Sequence, residues 1–287
     1  MRLPTLAATF FVAIANAQPT TAITVGAYTD DTSGVSYDLS AHFTPVENWA
    51  FDIGAGHSQS SAERGDLGGT AWHTAVNWQR SRLGVNLAAG GWHDSQQFVS
   101  GTRSLELTWF ATESLSVAAI LEHRSFDVRY EASTSGVIRP ARSSIDFSAT
   151  GVGAELAWTG AGWGASLRGQ SYHYDTKLTR VLAVSRATTT RSFPRLEALA
   201  DSVLTRTAGA LDRTLSASIE RNFARSGLHA DYTRSRDVIS EQNLDSVSLS
   251  YRYNWSPRLE LEATFGRSRS AAFSASNFGG LALTLRR

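Results

Sequence analysis

The chain of 287 residues has no cysteine and, after its N-terminus, no long apolar run. Without cysteine there is no disulfide framework, so extensive strand pairing or burial must hold the fold. No segment approaches the ~18 consecutive apolar residues of a transmembrane helix. Basic and acidic residues are balanced, 27 against 26, and this balance does not indicate nucleic acid as a partner. Because metal-ligand clusters, phosphate loops and cofactor motifs are also missing, we predict no metal and no cofactor.

The N-terminal residues have the features of a secretory signal peptide. Arg2 precedes a mostly apolar stretch over residues 3–15, and Ala15-Asn16-Ala17 supplies a cleavage site of small residues. We therefore predict a signal peptide over residues 1–17 and a single mature domain over residues 18–287. A membrane anchor or a core strand is the alternative interpretation of the first segment.

Residues 247–265 give the clearest structural signal in the chain. Apolar and polar residues alternate there on both sides of a turn at residues 256–258, which contains proline. A period of two around a tight turn is typical of a β-hairpin with one apolar and one polar face. The pairs expected across this hairpin are Trp255 with Leu259, Tyr253 with Leu261 and Arg252 with Glu262.

The same alternation recurs along the whole mature chain. Its short turns lie near residues 46, 80, 112, 160, 224 and 256. Longer polar connections lie near residues 30–34, 59–68, 93–101, 125–144, 176–208, 236–243 and 269–276. The chain therefore reads as a repeated hairpin whose insertions are confined to one end of the strands.

Aromatic residues mark the short turns. A soluble sandwich has no reason to collect tryptophan at one end of its strands, whereas indole groups favour the headgroup level of a bilayer. Strands can cross hydrocarbon only as a closed barrel, because an unpaired edge would leave backbone groups without partners. The predicted aromatic girdle consists of Phe43, Trp49, Trp78, Trp109, Trp158, Trp163, Phe223 and Trp255.

We therefore predict an all-β fold, a closed antiparallel transmembrane β-barrel of about 14 strands, with a soluble all-β fold as the alternative. An even strand number places both ends of the barrel on the side of short periplasmic turns, with long extracellular loops opposite. Residues 176–208 are long enough for two further strands, which makes 16 strands an alternative. Those strands would put Arg186 or Arg191 on the lipid face, where arginine costs about 2–4 kcal/mol. We therefore expect a large external loop or a protruding hairpin there.

In these features the chain resembles the outer-membrane β-barrel proteins of Gram-negative bacteria, and porins among them. Residues 280–285, GLALTL, are similar to the terminal assembly signal of that family, although the chain ends on Arg286-Arg287 instead of an aromatic residue. The resemblance implies the outer membrane of a Gram-negative bacterium as the location. It also implies outer-membrane lipid, lipopolysaccharide and the outer-membrane assembly machinery as partners.

The polar face of the strands is predicted to line the lumen. Its charges would tune the ion selectivity of a water-filled passage, or else form a network that closes the barrel. Abundant small residues favour a passage, so we predict porin-like diffusion of small hydrophilic solutes. A closed structural or assembly barrel, for example one linked to polysaccharide export, is the alternative. The predicted lumen-lining residues are Asp38, Asp52, Glu106, Glu122, Glu155, Arg168, Glu220, Arg252, Glu260 and Glu262, with His42 and Arg124 on the same face.

His93 and Ser95 form the one catalytic candidate. Outer-membrane acyl hydrolases carry a His-x-Ser on the outward face of a strand, where the histidine can deprotonate the serine. Here Gln96-Gln97 replaces the Asn-Gly-type continuation of those enzymes, and neighbouring strands offer no outward carboxylate or asparagine to orient the histidine. We therefore predict no enzymatic activity and no catalytic residue, with a lipid acyl hydrolase as a further alternative.

Residues 177–213 hold seven basic and three acidic residues. On the outer surface such a segment could contact lipopolysaccharide phosphates or draw anionic solutes towards the barrel. An ordinary solvated loop is the alternative.

Overall fold

In a computed structural model, the chain forms fourteen antiparallel strands that close into one barrel. The structure describes residues 20–31, 34–62, 65–94, 98–132, 141–175, 210–238, 242–270 and 275–287. Within those ranges, no helix has the length and apolar character needed to cross a membrane. The strands are β1 (Thr20–Asp30), β2 (Val35–Val46), β3 (Trp49–Ala62), β4 (Gly65–Arg80), β5 (Leu83–Asp94), β6 (Phe98–Phe110), β7 (Leu115–Ala132), β8 (Ala141–Gly160), β9 (Trp163–Tyr174), β10 (Leu211–Asn222), β11 (Ser226–Asp237), β12 (Asn243–Ser256), β13 (Leu259–Ser270) and β14 (Ser276–Arg286).

Each strand pairs with its neighbours in sequence, and β1 pairs with β14 to close the barrel. Ala22 lies opposite Arg286, so β1 begins and β14 ends on the side of the short turns. The predicted barrel of 14 strands is confirmed. The alternative of 16 strands is wrong, because β9 pairs directly with β10 and no further barrel strand lies between them. Residues 176–208 and the predicted signal peptide lie outside the described residues.

The short turns lie where the alternation of the sequence places them. β2 and β3 are joined by residues 47–48, β4 and β5 by residues 81–82, and β8 and β9 by residues 161–162. Ala161 and Gly162 both have positive φ, 49° and 77°, as a two-residue type I′ hairpin turn requires. The twist of such a turn matches the right-handed twist of the strands, so these connections stay short.

Two details of the strands differ from the predictions. Much of the predicted connections at residues 59–68 and 125–144 is strand. The ladder of β3 and β4 continues to Ala62 opposite Gly65, and that of β7 and β8 continues to Ala132 opposite Ala141. The alternation marks only the exposed apolar band of the strands, whereas backbone pairing continues beyond that band. In the hairpin of β12 and β13, a bulge at Trp255 places Ser256 opposite Leu259. The other two expected pairs of that hairpin are confirmed.

The two faces of the strands have opposite polarity. On β12, Val247 and Leu249 are 56% and 51% exposed, whereas Ser248 and Ser250 between and beside them are 3% and 4% exposed. This order is the reverse of a soluble protein, in which large apolar residues are buried and contiguous exposed apolar surface is small. An apolar exterior around a polar interior is the pattern of a barrel surrounded by lipid.

Ring side chains on the inner face pack against glycine residues of neighbouring strands. A Cβ atom added to any of these glycines would lie between 2.0 and 2.6 Å from an atom of the ring. The missing Cβ lets each ring lie along the wall instead of projecting into the lumen. These pairs are Tyr28 with Gly280, His73 with Gly54, Trp92 with Gly69, Tyr172 with Gly151, and Phe278 with Gly266.

Candidate functional site: the barrel interior and its rim

The predicted aromatic girdle lies at the short-turn ends of the strands. Phe43, Trp49, Trp109, Trp158, Trp163, Phe223 and Trp255 are between 36% and 69% exposed. The eighth member, Trp78, is half-buried and lies opposite Trp49. Arg221 places its guanidinium 4.8 Å from the ring centre of Trp163, a cation–π contact at the same rim. Contact of these side chains with lipid headgroups stays a prediction.

All ten predicted lumen-lining residues lie on the face opposite the exposed apolar residues. Asp38, for example, lies between Tyr37 and Leu39, which are 60% and 55% exposed. Because successive side chains of a strand point to opposite faces, the alternation assigns each of the ten to the interior. That they line a path for solutes stays a prediction.

Arg168 on β9 joins two of these carboxylates. Its Nη1 atom donates to Glu106 Oε2 on β6 and to Glu155 Oε2 on β8, both at 3.3 Å. The glutamate side chains are only 12% and 9% exposed, so the shared arginine compensates two charges that are largely removed from water. Strands β6 and β9 are three positions apart, and the concave interior brings their long side chains together.

A second cluster, centred on Glu122 of β7, lies nearer the long-loop end. Glu122 accepts hydrogen bonds from Arg124 Nε, from Gln170 Nε2 at 3.2 Å and from Tyr172 Oη at 3.1 Å. The guanidinium of Arg124 also lies 4.6 Å from the ring centre of Tyr172. The carboxylate is thus satisfied by three donors, which is what a buried charge needs. The predictions did not include Gln170 and Tyr172, although both lie at alternate positions from Arg168 on β9 and therefore on the same face.

A third cluster surrounds Arg252 of β12 near the short-turn end. Arg252 Nη2 donates to Glu220 Oε1 at 3.1 Å, and its Nε lies 3.7 Å from Glu260 Oε2. Arg286 Nη2 donates to the same Glu260 oxygen at 2.6 Å. Arg286 was missed as an interior residue, although its position directly after the outward-facing Leu285 assigns it to the inner face.

The expected ion pair between Arg252 and Glu262 is not formed, even though the two residues are directly opposite in register. Glu262 instead accepts a hydrogen bond from Thr264 Oγ1 at 3.2 Å. The long arginine side chain reaches diagonally to Glu260 and two strands away to Glu220, since side chains converge on the concave face of a barrel.

A fourth cluster lies across the barrel, on β2, β3 and β4. Asp52 accepts a hydrogen bond from Asn77 Nδ2 at 3.0 Å, and its other oxygen is 2.7 Å from His42 Nδ1. No arginine lies on the inner face of these three strands within the described residues. Asp38 and Asp52 therefore make this part of the wall acidic.

The described inner face carries more carboxylates than arginines. Four arginines, Arg124, Arg168, Arg252 and Arg286, lie on it. Twelve carboxylates lie on the same face, and they are Asp30, Asp38, Asp52, Asp94, Glu106, Glu122, Glu155, Glu220, Asp231, Asp237, Glu260 and Glu262. With neutral histidines, the described inner face has an excess of eight negative charges.

The catalytic candidate receives no support from the structure. His93 is exposed on the outer face, and the residues directly opposite it are Thr70 on β4 and Val99 on β6. Neither residue supplies a carboxylate or an amide that could orient the imidazole. Ser95 lies outside the described residues. No three acidic or histidine side chains in the described ranges are placed to hold a metal ion.

Several solved structures of outer-membrane proteins are similar to this barrel. The outer-membrane expressed OmpT of Vibrio cholerae has a TM-score of 0.52 and 10% identity, covering 94% of this chain and 97% of that chain. A loop L8 deletion mutant of OmpT has a TM-score of 0.50 and 10% identity, covering 94% and 98%. KdgM porin has a TM-score of 0.44 and 11% identity, covering 92% and 98%.

No protein-family model matches the chain, and no curated protein does either. Because the two OmpT structures are only 10% identical to this chain, their likeness concerns the fold alone. That likeness agrees with the exposed apolar exterior, the polar interior and the closed ladder of strands. The chain has the fold of the outer-membrane β-barrel proteins of Gram-negative bacteria.

Proposed function

We propose that this protein is a diffusion channel of the Gram-negative outer membrane, which passes small hydrophilic solutes and favours cations. The observation that carries the proposal is the excess of carboxylates on the inner face of a closed barrel of fourteen strands. Charged side chains around a water-filled passage attract ions of the opposite sign and repel ions of the same sign.

The direction of the interior contacts supports an open passage. Arg168 reaches strands one and three positions away, and Arg252 reaches strands one and two positions away. Opposite walls of this barrel, such as β3 and β10, are seven strands apart. These ion pairs therefore run along the wall, as do the rings packed on glycine. Neither arrangement fills the centre of the lumen.

Single-channel recording in a neutral planar bilayer tests the proposal. In a KCl gradient, the refolded mature protein should give stable current steps with a reversal potential of the sign expected for cations. A unit charge about 7 Å from an ion in water contributes about 0.6 kcal/mol, which changes the local cation concentration about threefold before screening by salt. Glu106→Gln should therefore lower the cation preference and Arg168→Gln should raise it.

Arg221→Gln is the matched control, because Arg221 lies on the outer rim beside Trp163 and should leave the selectivity unchanged. Anion selectivity would contradict the charge argument. Silence from a correctly folded barrel would instead favour the closed structural or assembly barrel. In that case truncation of Arg252 or of its partner Glu260 should restore current.

A further inference from the structure

Five arginines lie together on the outer face, at the long-loop ends of β10, β11 and β13. They are Arg213 on β10, Arg234 and Arg236 on β11, and Arg267 and Arg269 on β13. We call this group the arginine patch. On each strand the patch begins at the first outward position after the apolar residues, which end at Leu215, Tyr232 and Phe265. The patch therefore lies directly above the band that would contact hydrocarbon.

The register of the strands brings like charges together in the patch. Arg213 lies directly opposite Arg236 in the ladder of β10 and β11. Two like charges in directly opposite positions of an antiparallel pair destabilise it. An anion held between the two guanidinium groups would remove this repulsion.

The protein itself compensates the patch only in part. Two aspartates, Asp212 and Asp245, accompany the five arginines and leave an excess of three positive charges. Arg236 Nε is 3.8 Å from Asp212 Oδ2, and Arg234 Nε is 3.8 Å from Asp245 Oδ1. Both pairs are loose and about half-exposed, so they contribute little.

The remaining three arginines of the patch have no such partner. Arg213, Arg267 and Arg269 are exposed, and they make no side-chain hydrogen bond or ion pair with any residue that the structure describes. Their donors are therefore available to a ligand.

The patch occupies one side of the barrel. At the corresponding outward positions of β1 to β5, the described residues have no lysine or arginine, and Thr29, Thr70 and His93 lie there instead. On β6 a single arginine, Arg103, lies at this level. β10 and β11 are adjacent, and β12, which carries Asp245 at this level, lies between β11 and β13. Concentration of positive charge within these four neighbouring strands indicates a binding site better than a uniform ring of solvated residues would.

We propose that the arginine patch binds the phosphate groups of a phosphorylated lipid in the outer leaflet of the membrane. Guanidinium groups form paired hydrogen bonds with phosphate oxygens, and the level just above the apolar band is that of lipid headgroups. The acyl chains of the lipid would then lie along the exposed apolar residues below the patch. This inference rests on the membrane placement in the proposed function, but not on an open lumen.

Binding of a diphosphorylated glucosamine lipid by the refolded full barrel tests this inference. Native mass spectrometry in neutral-detergent micelles would measure the lipid bound at increasing concentration, with phosphatidylcholine as the reference lipid. Arg213→Gln combined with Arg236→Gln should weaken binding by at least about tenfold, because charge-assisted contacts to phosphate are lost. Arg267→Gln combined with Arg269→Gln is an independent pair that should act in the same direction.

The control pair is Arg80→Gln combined with Arg82→Gln, which removes the same charge at the short-turn end and should leave binding unchanged. Equal binding by the patch variants and the wild type would overturn the inference. Displacement of the lipid by millimolar inorganic phosphate would also overturn it, because the site would then be one for free anions.

Conductance in neutral phosphatidylcholine separates this inference from the proposed function. A channel that conducts normally but binds no phosphorylated lipid would refute only the patch. A silent barrel that binds the lipid would refute only the channel.

Discussion

Replacing Gly69 by alanine should force the Trp92 side chain away from the barrel wall. A Cβ atom on Gly69 would lie 2.3 Å from Cζ2 and 2.4 Å from Cε2 of that indole. Trp92 is only 6% exposed, so it has little room to move except towards the lumen. Overpacking of this kind costs about 1–3 kcal/mol. Alanine recovers about 0.4–1 kcal/mol by restricting the unfolded chain. We therefore expect the free energy of unfolding to fall by about 1–2 kcal/mol.

The adjacent residue provides a matched control. A Cβ atom on Gly68 would lie 3.6 Å from the nearest atoms of Gln59 and Ser58, which is ordinary van der Waals contact. Gly68→Ala should therefore leave stability unchanged or raise it by up to about 1 kcal/mol.

Urea unfolding of both variants, refolded in phosphatidylcholine vesicles, measures the difference as a shift of the midpoint. The displaced indole should also lower the single-channel conductance of Gly69→Ala and leave that of Gly68→Ala unchanged. Equal stability and equal conductance in the two variants would refute the view that glycine holds interior rings against the wall.

Two further predictions concern the contact of β14 with its neighbours. Arg286→Gln removes the donor that lies 2.6 Å from Glu260, whose side chain is only 9% exposed. Because Arg286 itself is 45% exposed, we expect the free energy of unfolding in urea to fall by only about 1–3 kcal/mol. The same change in a Glu260→Gln background should cost less, because no buried charge is then left unpaired. Hydrogen bonds from Ser276 and Asn277 lower the pKa of Asp31 below its usual 3.8. Their contribution to the stability of the fold is therefore complete above pH 3.8 and is lost as the pH falls through the lowered pKa. The melting temperature of the wild type should show this additional fall at acid pH, and that of Asp31→Asn should not. Parallel curves of melting temperature against pH for the two proteins would contradict the prediction.

The fold followed from the sequence because a strand has a period of two. Alternation assigned Asp38, Glu106 and Arg252 to the inner face without any knowledge of strand order. It likewise assigned the aromatic girdle to the outer face, at the short-turn ends of the strands. The short turns were visible for the same reason, since they interrupt the alternation. The pattern did not show where β7 and β8 end, because their backbone pairing continues beyond the band of exposed apolar residues.

The partners of the interior charges could not be predicted from the alternation. Arg252 contacts Glu220, which is 32 residues away in the chain, and Arg168 contacts Glu106, which is 62 residues away. Such distances depend on how many strands close the barrel and on the curvature of its wall. The nearest residue in register, Glu262, proved not to be the partner of Arg252.

The sequence by itself predicted a barrel of about 14 strands and determined which side chains face inward. These properties depend on local periodicity, turn residues and polarity, all of which can be read along one strand. The direct pairing of β9 with β10 decided between 14 and 16 strands. Only the tertiary structure decided which charges pair inside, which rings lie on which glycines, and that Arg213 lies directly opposite Arg236 on the outer face. Those contacts join strands whose relative register is set by closure of the whole sheet, so no single segment contains the information.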